Sequence, residues 1–98
     1  MAEQQSSKSA DSLFLSLVSM LATACWQQMG KMPSPVSGKV ERELNHAKMT
    51  LDLLIMLRDK TKGNLSPDEE KAIQSTVSNL QLNYADELLK TDNQQTKN

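Results

Sequence analysis

The side chains able to do chemistry are few. His46 and Cys25, one of each type, are the whole supply of imidazole and thiol. A catalytic Cys–His pair needs a thiolate activated by a nearby base or cation. Cys25 lies in a stretch with no charged residue between Asp11 and Lys31, which reads as a small buried hydrophobe. His46 reads as a helix-surface or interface residue. One Cys allows no internal disulfide, and with one His it leaves little for a zinc site. Asp68, Glu69 and Glu70 could suggest a cation site, but at a helix start they are better explained as compensating the helix dipole. Lys60-Thr61-Lys62-Gly63 is not a phosphate loop, which is longer, Gly-rich and opens a helix after a strand. Arg58, Lys60 and Lys62 could touch phosphate, yet the interleaved aromatics of a nucleic-acid surface are missing. The expectation is no catalytic residue, no cofactor, no metal and no nucleic-acid partner.

The elements that would carry these residues follow from composition and spacing. The chain has 98 residues, a length suited to one domain. Aromatics are 3%, with three Gly and three Pro, too few for an all-β sandwich or barrel. Net charge is −1, so no bulk field recruits nucleic acid or acidic lipid. Charge is uneven: residues 39–62 carry six bases and four acids, and residues 63–98 three bases and six acids. Two solvated helix faces of opposite sign account for this. Residues 1–10 and 91–98 lack apolar periodicity and read as disordered polar tails.

Between the tails, three helices are expected, at about 11–29, 41–62 and 66–89. Two prolines and two glycines between Gly30 and Gly38 break the chain after helix one. Helix one confines Ser12, Ser16, Ser19, Thr23 and Gln27 to a narrow stripe and is apolar elsewhere, as suits a central strut or a membrane segment. Helix two carries Val40, Leu44, Ala47, Leu51, Leu54 and Ile55 on one face. Met49, Leu53, Met56 and Leu57 form a second ridge almost opposite, with His46 at its edge. Helix three opens at Ser66, with Pro67 at its first position and Glu69 completing a capping box. Ile73, Val77, Leu80, Tyr84 and Leu88 form its seam. Gly63 suits the left-handed turn that ends helix two, and Leu65 dips into the core. The short link predicts helices two and three as an antiparallel hairpin in an all-α domain.

A monomeric surface helix needs one apolar face, and helix two has two. Leaving Met49, Leu53, Met56 and Leu57 in water forfeits about 1.5–3 kcal/mol for each fully buried side chain. A homo-oligomer is therefore expected, most simply a two-fold dimer; the competing reading is a monomer in which helix one wraps over this ridge by way of the Pro-Gly linker. Met20, Met29, Met49 and Met56 fill the core or adapt to a partner.

The alternative is export or anchoring through residues 12–29. Leu13 to Trp26 resembles a signal peptide's apolar core, and Leu21-Ala22-Thr23-Ala24-Cys25 resembles a lipoprotein cleavage box. Against it, Glu3 and Asp11 outweigh Lys8, and Ala22 stands where the box usually has Leu. The segment also holds three Ser, a Thr and two Gln, whereas a span needs about 20 predominantly apolar residues.

The run from Lys60 through Gly63-Asn64-Leu65-Ser66-Pro67 to Glu70 resembles the signature of a small bacterial family, domain of unknown function 1844. Ala47 and Thr50-Leu51-Asp52-Leu53-Leu54 match its second helix, and Pro35-Val36-Ser37-Gly38 is similar to its Pro-x-Thr-Gly turn. The uncharged first helix and Tyr84 also fit, so the likeness spans Leu13 to Leu89. Glu43 departs from the family, which often has Asn there, and this places the start of helix two nearer Leu44. The resemblance implies a bacterial, cytoplasmic protein and supplies no activity, cofactor or catalytic residue. It counts against a removable leader. The expected role is a non-enzymatic, oligomeric interaction module.

Overall fold

In the computed structural model, side chains are described for residues 12–90. The side chains of residues 1–10 and 91–98, expected as tails, lie outside the described residues. The chain forms α1 (Ala2–Gln28), β1 (Met29–Pro33), β2 (Val40–Arg42), α2 (Leu44–Lys60) and α3 (Pro67–Lys97). The three helices are present, and a two-stranded antiparallel sheet is added. The all-α expectation is corrected to a mostly helical fold.

The sheet arises where the Pro-Gly segment turns the chain back on itself. Met29 pairs with Arg42 and Pro33 with Val40, with an irregularity between them. The Gly38 N–H donates to the Ser34 carbonyl at 2.8 Å, and the Ser34 N–H to the Lys39 carbonyl at 2.8 Å. The Glu43 N–H then donates to the Gln28 carbonyl at 2.7 Å. That bond ties the foot of the hairpin to the end of α1. Residues 41–43 therefore do not belong to helix two: backbone groups that a helix would use are already committed to the strand partner. Val40, expected on the buried face of helix two, is an exposed strand residue.

Each helix touches the other two. The buried core joins Val18 and Cys25 of α1, Met29 of β1, Ala47, Leu51 and Leu54 of α2, and Ile73, Val77 and Leu80 of α3. Phe14, Leu21, Trp26, Leu44, Leu65 and Tyr84 pack around it. The Thr50 hydroxyl lies 2.7 Å from Gln28 Oε1 and 3.0 Å from the His46 carbonyl, so this buried polar group is satisfied at the α1–α2 contact. Helix α1 is not an all-round strut. It buries one face and leaves Leu13 72% and Met20 69% exposed, because two neighbouring helices cover only one side of it.

The α2–α3 link is longer than expected, because α2 ends at Lys60 and not at Lys62. Gly63 has φ +87°. The Ser66 N–H donates to Glu69 Oε1 at 2.8 Å, and the Glu69 N–H to Ser66 Oγ at 3.2 Å. Together they close a reciprocal cap around Pro67. Open space surrounds the position of a Cβ at Gly63, so substitution there is penalised by backbone conformation alone. Gly63→Val should lower stability by about 1–2 kcal/mol, read as a lower urea midpoint; an unchanged midpoint would refute the role of this turn.

Candidate interaction surface

Of the groups considered for chemistry, Cys25 and Glu69 take up structural contacts. Cys25 is fully buried, and its thiol donates to the Ala47 carbonyl at 3.5 Å. Burial pushes its pKa up to about 11, which removes the thiolate a nucleophile needs. His46 is exposed, with Nδ1 3.8 Å from Glu43 Oε2. Of the acidic triplet, Glu69 is spent on the cap, and Glu70 accepts a hydrogen bond from Gln74 at 3.2 Å. Arg58 pairs with Asp59 at 3.1 Å. Together with Lys62 and Glu70 they edge a groove of mixed charge beside Gly63 and Leu65. Among the described residues, no group of three His, Cys, Asp or Glu side chains could hold a metal ion.

One buried charge was not anticipated. Helix α3 presents Ile73, Val77 and Leu80 to the core, and the next turns bring in half-buried Tyr84 and then Glu87. Leu88, expected as the end of this seam, is exposed. The Glu87 side chain is only 8% exposed, and Lys31 of β1 and Lys90 of α3 each reach its Oε2 at 3.1 Å. From β2, Arg42 donates to Oε1 at 3.0 Å and to the Glu87 carbonyl at 2.8 Å. Burial pushes the carboxyl pKa up, but the hydrogen bonds from Lys31, Lys90 and Arg42 outweigh it and bring it down to about 2. This clamp fastens both strands to α3. A signal for it exists: the spacing 73, 77, 80, 84 continues by alternation to 87, a charged residue on an apolar seam.

Helix α2 carries an exposed apolar ridge. Met49 is 62%, Leu53 43% and Met56 45% exposed, on the side away from Ala47 and Leu54. Leu57, placed with them by sequence, packs instead against the core. Asn45, Lys48, Met49, Asp52 and Leu53 surround a shallow depression on this face. Lys48 and Asp52 pair across it at 2.9 Å. Leu13, Leu17 and Met20 of α1 and Leu82 and Leu89 of α3 add further exposed apolar surface. Among the described residues, no helix is long and apolar enough to cross a membrane.

Three helices and a two-stranded hairpin around one buried core define a small, mostly helical domain. The chain belongs to the family of the domain of unknown function 1844 (DUF1844), which matches residues 11–86. The match runs from α1 through the hairpin, α2 and the capped link into α3. No curated protein and no solved structure matches the chain.

Proposed function

We propose that this protein is a non-enzymatic, homo-oligomeric interaction module of the bacterial cytoplasm, with α2 and α3 as its antiparallel helical pair. The carrying observation is the ridge of Met49, Leu53 and Met56, exposed on the outer face of a helix whose inner face is already in the core. Surface of this kind is costly to leave in water and marks association sites. The buried thiol of Cys25 and the structural use of Glu69 and Glu87 support a role in binding over one in turnover. No cofactor or metal is invoked.

The test is the mass of the full chain in solution. Sedimentation at micromolar concentration should show a species heavier than the 10.9 kDa protomer, and Leu53→Glu should return it to the protomer mass while helical circular dichroism is kept. A single 10.9 kDa species for the wild-type chain at all concentrations would end this reading.

A further inference from the structure

We propose that Met49 and Met56 form a reversible oxidation site on the outer face of α2: hydrogen peroxide converts both thioethers to sulfoxides and makes the apolar ridge polar, while Met29 and Cys25, whose sulfurs lie in the core, stay reduced.

The assignment starts from where the sulfur lies. Met49 and Met56 are seven residues apart on α2, close to two turns, and so share one face of the helix. Both are exposed, as are Met20 of α1 and Met32 of β1. Met29 is enclosed in the core. A cysteine is ordinarily the sulfur that a peroxide reaches first, because its thiolate is the stronger nucleophile. Cys25 forfeits that advantage. It is fully buried, and its thiol donates to the Ala47 carbonyl at 3.5 Å. Its raised pKa keeps it a thiol at neutral pH. The chain therefore presents thioethers to an oxidant and withholds its thiol.

In the reaction, a lone pair on sulfur attacks one oxygen of the peroxide. An S–O bond forms and the O–O bond breaks. The departing oxygen takes the proton carried by the first and leaves as water. Each sulfur loses the two electrons that the peroxide gains. At Met49 the new oxygen emerges beside a depression that Asn45, Lys48, Asp52 and Leu53 also line. The Asn45 amide and the Lys48 ammonium are donors, and a sulfoxide oxygen is an acceptor. Lys48 has three protons to give, and its bond to Asp52 at 2.9 Å uses one of them. A sulfoxide at Met29 would instead put a polar oxygen among the apolar side chains of the core. Oxidation at the surface changes what α2 presents and leaves the packing beneath it intact.

The test is peptide mapping of the full chain after timed exposure to hydrogen peroxide, at nanomolar concentration so that copies of the chain are kept apart. The peptides holding Met49 and Met56 should each gain one oxygen at least about tenfold faster than the peptide holding Met29. Cys25 should still be fully alkylated by a thiol reagent once the chain is unfolded. Helical circular dichroism should be unchanged. Methionine sulfoxide reductases for both epimers, with a dithiol as reductant, should return the original mass. Met49→Leu combined with Met56→Leu should remove two of the added oxygens and no others. If Met49 and Met56 stay reduced while Met20 is oxidised, the ridge is closed in the protomer and the proposal fails. It fails equally if Met29 or Cys25 is oxidised as fast as Met49, or if the helical signal is lost with the oxidation. None of these readouts depends on the mass of the untreated chain in solution, so the oligomeric reading stands or falls separately.

Discussion

Glu87→Gln is expected to lower the stability of the protein at neutral pH by about 2 kcal/mol. The substitution keeps the size of the side chain but removes the charge that three cations share. Lys31 and Arg42 are about a third exposed at this clamp, at 29% and 35%, so solvent screens part of the loss. The figure therefore sits below the 3–5 kcal/mol typical of breaking a fully buried pair. The pH dependence has a definite sign. A carboxyl whose folded pKa is about 2, against an ordinary 4.5, stabilises the fold fully above its unfolded value. That contribution fades as pH falls from about 4.5 toward 2. Urea midpoints for wild type and Glu87→Gln should differ clearly at pH 7 and converge near pH 2. Parallel curves across that range would mean that the carboxylate does not hold the hairpin.

Gly30→Val should cost still more, about 3 kcal/mol, through two separate mechanisms. Gly30 has φ +83°, a conformation that a β-branched residue adopts only with strain. A Cβ there would also stand 3.3 Å from the Arg42 Cβ. At about 1–2 kcal/mol for the backbone and a similar amount for the overpacking, the strand pair opens at the position that aims Arg42 at Glu87. Both substitutions therefore act partly through Arg42, and the double variant Gly30→Val with Glu87→Gln should lose less than the sum of the singles. Strict additivity in urea unfolding would show that the hairpin and the clamp are independent.

These effects sit in the part of the molecule least legible from its residues. The Pro-Gly segment between Gly30 and Gly38 reads as a break, and a break says only where a helix cannot run. Whether the flanking residues pair is decided by contacts far along the chain, since Lys31 and Arg42 meet Glu87 on α3. Val40 and Glu41 would extend the apolar and charged periodicity of helix two. They are drawn into a strand because the backbone groups around Met29 need partners and the Gln28 carbonyl captures the Glu43 N–H. Leu88 fits the helix-three seam by a four-residue step, and Glu87 by a three-residue step. Local spacing does not choose between them, and the cations of the hairpin do.

What the sequence determined by itself is local: three helices, the Gly63 turn, the Ser66–Glu69 cap with Pro67 inside it, the inward Leu65 and the buried Cys25. Each depends on residues within a few positions of one another, where propensity and hydrogen-bond geometry act without the rest of the chain. The tertiary structure alone decided which apolar faces were covered. Leu57 turned inward while Met49, Leu53 and Met56 stayed out, α1 kept Leu13 and Met20 in water, and a glutamate took a seam position. Those outcomes depend on how many neighbours each helix has and where the distant cations fall, and both are set by packing rather than by periodicity.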